Sequence, residues 1–318
     1  MGKILSIFKD WMLPIAMLAG AMIYLIYINI PALSPAGPVL YHIVTFLQPF
    51  LLFVLLFLAF CRISPKDMRP RKWHLWLLCF QTLSFVALAV MEIFLPGDYW
   101  KVLLESAMLM LICPTATAAA VVTAKLGGDG PGITTYLILI NLVTAISVPL
   151  VVPLVHPSSE MTFLVSLSMI MAKVFPLLIC PCILAWIVRF TMPKLHRKIV
   201  RYEDLPFYIW AVNLMLAILM TTRSIVHSTV PAGYQIGIAA VSLACCALQF
   251  WTGRMIGKRY GASVTAGQAL GQKNTVFAIW MGYTFMTPVT SIAGGFYSIW
   301  HNAFNSWQLY RKRHGRQS

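Results

Sequence analysis

Apolar side chains run through this sequence in ten long stretches, at approximately 11–30, 40–61, 74–95, 101–124, 132–155, 163–190, 206–224, 231–252, 263–285 and 288–309. Short clusters of charge, Gly and Pro separate them. Each stretch is close to or longer than the roughly 20 residues that a helix needs to cross the hydrocarbon core of a bilayer. Strict apolar–polar alternation over ten positions, the mark of a barrel strand, is not seen, so the pattern predicts helices throughout. The stretch at 163–190 is long enough for its first turn or two to lie in the interface. The first stretch follows Lys3 and Lys9 but runs longer than the about 7–15 apolar residues of a signal peptide and lacks a small-residue cleavage site, so a retained span is expected.

Composition narrows the class further. Of 318 residues, 59% are hydrophobic and 10% charged, with a mean hydropathy of +0.79. A soluble domain carries roughly a quarter charged residues, so a soluble enzyme, a disordered tail and a disulfide-stapled secreted domain are all excluded. The seven Cys lie inside apolar runs, where the residue behaves as a small hydrophobe. Net charge is +15, and its distribution explains it. If the stretches alternate across a membrane, 20 of the 24 Lys and Arg fall on one side, including Arg62–Lys72, Arg189–Arg201, Arg254–Arg259 and Arg311–Arg316. The other side receives Lys101 and Arg223 beside Asp98 and Glu160. Cytoplasmic loops show this asymmetry, so both termini are expected in the cytoplasm of a cell (inner) membrane protein, and no nucleic acid partner is needed.

Two stretches break the rule that a spanning helix is regular and apolar. The fourth reads Cys113-Pro114-Thr115-Ala116-Thr117 at its middle, where Pro114 removes a backbone donor and clashes with the preceding turn. The ninth reads Gly267-Gln268-Ala269-Leu270-Gly271-Gln272-Lys273-Asn274-Thr275. At a rise of about 1.5 Å per residue, Pro114 lies about 20 Å past Lys101 and Lys273 about 15 Å past Ser263, both near mid-membrane. Helix breaks are therefore predicted at Pro114 and Gly271. The two stretches hold matching places in two sets of five, and an odd number per set makes the halves inverted. Interrupted helices at matched positions point to the midplane site of a secondary transporter. Asn141 joins the candidates, since an amide about ten residues into an apolar helix needs a partner.

Cys113-Pro114 with Thr117 resembles the Cys-Pro-Gly-Gly-Thr-Ala-Ser-Asn stretch of the bile acid:sodium symporter family, in its fourth span. Gly271-Gln272-Lys273-Asn274-Thr275 is similar to that family's Glu-x-Gly-x-Gln-Asn-Ser in span nine. Phe296-Tyr297-Ser298-Ile299-Trp300-His301-Asn302 resembles its Phe-Ser-x-Trp-His-Asn in span ten. Lys173 with Pro176, Ile187 and Val188 is similar to its sixth span. The resemblance implies an all-α polytopic membrane protein forming one transporter unit over 1–318: ten transmembrane helices as two inverted five-helix repeats, about 1–155 and 160–318, with helices 4 and 9 interrupted and crossing. It also implies a panel of helices 1, 2, 6 and 7 beside a core of helices 3–5 and 8–10. The implied activity is alternating-access transport of a small organic anion, steroid-like or carboxylate. The sequence departs from the family at the sodium ligands. Ala119-Ala120 replace the Ser-Asn pair, Ala269 the carboxylate and Lys273 the Gln, while Asn274 carries over with Thr275 in place of Ser. Sodium coupling of the usual kind is therefore not expected.

The expected solute and ion site comprises Thr115, Thr117, Asn141, Gln268, Gln272, Lys273, Asn274 and Thr275, between opened half-helices whose positive dipole ends suit an anion. Lys273 has no acidic residue nearby in its stretch; it stands either as a tethered cation where the family holds sodium, or as a proton carrier. No cofactor and no metal ligand set is expected. His301 is read as a packing and hydrogen-bonding residue, Lys173 as a snorkelling one, and Glu92 and Glu105 as lying a few turns from the outer interface with no intramembrane carboxylate pair evident. The rival readings are a membrane-embedded transferase and a soft-metal carrier using Met together with Cys180-Pro181-Cys182.

Overall fold

The computed structural model describes residues 2–95, 97–157, 162–202 and 204–314. Glu160 and Arg316, counted above among loop charges, lie outside the described residues, as do the side chains of Lys3, Lys9, Asp98 and Arg313. Thirteen α-helices cover most of the chain: α1 Gly2–Asn29, α2 Gly37–Cys61, α3 Lys72–Phe94, α4 Asp98–Ile112, α5 Ala119–Lys125, α6 Gly130–Val155, α7 Phe163–Thr191, α8 Pro193–Arg201, α9 Leu205–Val226, α10 Ala232–Lys258, α11 Ser263–Gly271, α12 Thr275–Phe285 and α13 Ser291–His314. Among the described residues the one piece of β pairing is an isolated antiparallel bridge, Thr115 with Lys273.

Among the described residues six helical segments are long and apolar enough to cross a membrane: Pro31–Cys61 (α2 with the 3-10 turn before it), α3, α6, α7, α9 and α10. The protein is thus an all-helical chain of polytopic membrane type. The other four predicted stretches differ for visible reasons. The apolar part of α1 is Ile15–Asn29. The stretches 101–124 and 263–285 are each split in two, as α4/α5 and α11/α12. α13 carries Ser298, His301, Asn305 and Gln308, all buried against other helices, so its polarity faces protein and lowers its hydropathy. Helix α8 falls in the basic connection between the stretches 163–190 and 206–224, a nine-residue segment rich in Lys and Arg with no long apolar run. It is amphipathic: Ile199 and Val200 pack on the core while the basic residues stay outside, the pattern of a helix lying in a membrane interface.

Helices α1, α2, α7 and α9 pack together, as do α3–α6 with α10–α13; the two groups meet most extensively where α6 lies on α7. Small residues allow the closest approaches: a Cβ on Gly20 of α1 would stand 2.3 Å from the Met215 carbonyl oxygen of α9, and one on Gly253 of α10 2.4 Å from the Ala266 carbonyl oxygen of α11. Many contact residues on the outside are large and apolar, Phe46, Leu83, Phe94 and Ile236 among them, as a lipid-facing surface requires.

Hydrogen bonds gather the basic residues at one end of the bundle. Arg62 Nη2 donates to the Tyr202 carbonyl (3.0 Å), Arg189 Nη1 to that of Ile63 (2.6 Å), and Lys312 Nζ to that of Lys125 (2.9 Å). Arg71 pairs with Asp129 (2.5 Å) at the same end. The opposite end holds Tyr24 against His227 (2.7 Å) and the Arg223 guanidinium over the Tyr41 ring (4.6 Å).

Candidate functional site

Proline disfavours the helical conformation in the residue before it. Cys113 accordingly turns extended (φ −51°, ψ 131°), α4 stops at Ile112, and the helix resumes as α5 only at Ala119. In the ninth stretch α11 runs through Gly271, and the opening falls at Gln272–Asn274, one residue later than the sequence predicts. Gly271 serves packing here: an added Cβ would meet the Phe250 ring at 2.4–2.6 Å. Helix α12 restarts behind Asn274, whose Oδ1 caps it by accepting from the Phe277 N–H (3.2 Å). The two opened segments lie antiparallel, with the Ala116 N–H donating to the Gln272 carbonyl (2.9 Å) and the Asn274 N–H to the Pro114 carbonyl (2.8 Å).

Backbone groups freed by such breaks in the interior, away from water, must find partners within the protein. In a continuous helix the Met110 carbonyl would accept from residue 114, but proline has no N–H. Gln249 Nε2 supplies the bond instead (3.2 Å). Leu111 is met by Lys273 Nζ (3.4 Å), Ile112 by Thr144 Oγ1 (3.0 Å) and Gln81 Nε2 (3.1 Å), and Cys113 by Gln81 Nε2 (2.9 Å). On the other strand Thr115 Oγ1 donates to the Ala269 carbonyl (2.5 Å) and the Tyr297 hydroxyl to that of Gly271 (2.8 Å). Side chains from four further helices, α3, α6, α10 and α13, therefore converge on the crossing. Lys273 is among the largest fully buried side chains of the protein, and its ammonium points at the carbonyl end of α4, the negative pole of that helix.

The crossing brings Thr115, Gln272, Lys273, Asn274 and Thr275 together, all buried. Thr117, in the same opened segment, is half-buried. Gln268 is turned to a second network, donating to Asn305 Oδ1 (3.0 Å) and Gln308 Oε1 (3.3 Å), with Arg254 on Gln308 from the far side (2.6 Å). Asn141 donates to the Leu137 carbonyl of its own helix (2.6 Å). Asn141, Gln268 and Gln272 each keep a buried carbonyl oxygen without a hydrogen-bond partner. His301 is buried edge-on to the Tyr297 ring, 5.6 Å between centroids.

Sequence reasoning missed the residues that seal the breaks. Gln81 and Gln249 carried the same signal that singled out Asn141, an amide deep in an apolar helix. It also missed a carboxylate pair: Glu92 and Glu105, both buried, lie together with His156, each offering one ligand atom within 4.8 Å of the others. That overturns the expectation that no such pair exists. Residues 92, 105 and 156 meet only because α3 and α6 end, and α4 begins, at the same end of the bundle.

Two cavities flank α2, and neither is lined by the crossing. One, about 640 Å³, lies between α2, α7 and α12, with Lys173, Pro49, Trp280, Tyr283 and Thr284 on its wall. The Lys173 ammonium stands 5.7 Å from the Phe285 ring centroid, and Tyr283 donates to Gln48 (2.6 Å). The other, about 420 Å³, lies between α1, α2 and α9 and includes Arg223 and His227. Compared with known proteins, the chain matches no family model and no curated sequence.

Proposed function

We propose that the protein is a secondary active transporter of the bile acid:sodium symporter type. In this reading ten spans, formed by α1, α2, α3, α4/α5, α6, α7, α9, α10, α11/α12 and α13, make two inverted repeats with both termini cytoplasmic. The group α1, α2, α7 and α9 is the panel, the remaining helices are the core, and their relative movement exposes the site to each side in turn. One observation carries the reading: two helices opened at mid-length cross through an antiparallel bridge, with a buried lysine ammonium on the freed Leu111 carbonyl. Such openings are tolerated at membrane depth only where protein or a site satisfies them.

Lys273 fills the place of a bound cation, so transport runs without sodium. The solute is a small organic anion with an apolar body. The cavity between α2, α7 and α12 supports that class, since it joins an aromatic and aliphatic wall to Lys173 and lies between panel and core. Half-buried Thr117 and, through bridging water, the unpartnered acceptor oxygens of Asn141, Gln268 and Gln272 are among the polar groups left for solute in the core.

Proteoliposomes test this directly. Uptake of steroid acids and small carboxylates, without ATP, is measured with sodium replaced by potassium or choline and across pH, for the wild type, Lys273→Ala and Lys273→Gln. Saturable sodium-independent uptake abolished in Lys273→Ala is expected. Strict sodium dependence in the wild type overturns the tethered-cation reading. A pH dependence that vanishes in Lys273→Gln assigns the lysine a proton-carrying role.

A further inference from the structure

The buried group Glu92, Glu105 and His156 lies outside the machinery described so far. Glu92 is on the last turn of α3, Glu105 two turns into α4, and His156 caps α6. Two carboxylates side by side at 2% and 1% exposure repel each other if both are ionised, so the pair needs either a shared proton or a cation between them.

The arrangement has the features of a ligand set. His156 Nε2 stands 3.2 Å from Glu105 Oε1. Ligand atoms on a tetrahedral ion at 2.0–2.1 Å are roughly 3.3 Å apart, so this pair is already at ligand-to-ligand spacing. Glu92 offers an oxygen to the same cluster, and its Oε2 is buried with no hydrogen-bond partner. The Glu105 carboxylate is held in orientation from behind: the Thr287 N–H donates to Oε2 (2.9 Å) and the Thr287 hydroxyl to Oε1 (2.8 Å). Outer-shell bonds of this kind fix ligating carboxylates. His156 keeps 31% of its side chain exposed while its Nε2 is buried with no hydrogen-bond partner, so the imidazole stands between the cluster and the outside.

We propose that Glu92, Glu105 and His156 form a site for one divalent transition-metal ion, zinc by the chemistry of one imidazole nitrogen and two carboxylates. The ion ties α3, α4 and α6 together at the end of the bundle away from the basic loops. Through Thr287 it also fixes the turn between α12 and α13.

The test uses the full-length protein in detergent, tag removed, stripped with EDTA and desalted. Zinc is titrated against a chromophoric chelator, cobalt(II) is added as a spectroscopic substitute, and thermal unfolding is followed by tryptophan fluorescence. One equivalent of zinc, cobalt d–d bands of a four-coordinate ion, and a raised unfolding temperature are expected. His156→Ala, at a partly exposed position, loses binding by more than roughly a hundredfold, and Thr287→Val by about tenfold, the scale of an outer-shell loss. Glu92→Gln removes both the binding and the cobalt bands. No stoichiometric binding in the wild type overturns the site, and so does unchanged binding in His156→Ala. A Glu92→Gln variant that melts higher than a metal-free, non-binding wild type means that the pair shares a proton instead, and it also refutes the metal. Binding of calcium as tightly as zinc refutes the transition-metal assignment.

Discussion

Two lysines lie inside apolar stretches of this chain, and their surroundings differ completely. Lys273 is enclosed, with its ammonium on the Leu111 carbonyl and the backbone on either side of it locked to the opposing segment. Lys173 is exposed beside the α2–α7–α12 cavity, with its ammonium over the Phe285 ring. The enclosed ammonium holds one long bond to a neutral carbonyl, and burial rather than saturation of its donors keeps it from a diffusing anion. The other, among the described residues, has a ring face beneath it. A charge fixed in the core shapes the field of the site, whereas one on a cavity wall selects what enters.

If the protein is the transporter proposed above, the largest effect that separates them is the loss of uptake at Lys273. Its burial costs about 2.5–3.5 kcal/mol on insertion scales. Lys273→Met relieves that cost but orphans the Leu111 carbonyl, worth about 1–3 kcal/mol. The two nearly cancel, so thermal unfolding should move little while uptake is lost; a variant that keeps uptake would remove Lys273 from function. Next comes Lys173→Ala, which deletes a charge-assisted contact of about 1.5–3 kcal/mol and should weaken anion binding about 10–100-fold. Equilibrium binding to the detergent-solubilised protein checks this, and an unchanged affinity would erase the contrast between the two lysines.

Smaller effects test how tightly the enclosed region is built. Gly271→Ala forces a methyl into the Phe250 ring and should cost about 1–3 kcal/mol of stability. Tyr297→Phe removes the hydroxyl that serves both the Gly271 carbonyl and Gln249, for about 1 kcal/mol or somewhat more. Denaturant titration against the wild type reads both. If either is silent, the crossing is looser than its hydrogen bonds imply.

What could be read from the sequence follows the range of the interactions. Pro114 announces its own break because its ring acts on the residues next to it, and the polar run around Lys273 announces the second. The partners of those breaks act at a distance. Thr144 and Tyr297 look like ordinary polar side chains in apolar helices until the bundle places them on the Ile112 and Gly271 carbonyls. Helix α13 reads as a weak span because its polar residues are turned inward, which hydropathy along the chain does not register. The Glu92–Glu105–His156 group is carried wholly by topology. Its members are separated by 13 and 51 positions and share no local pattern.

The sealing of the α4 break has a consequence for how the protein is made. Gln81 and Thr144, which serve the Ile112 and Cys113 carbonyls, belong to the first 155 residues and enter the membrane with them. The carbonyls of Met110, Leu111 and Pro114 wait for Gln249, Lys273 and Asn274, between 139 and 162 residues further along. At 5–20 residues per second the nascent chain carries those unmet acceptors for about 7–30 s. In the ten-span reading α4 lies in hydrocarbon, where bare carbonyls each cost several kcal/mol, so the half-made protein must keep it near water, lipid headgroups or an insertion factor until the second half arrives.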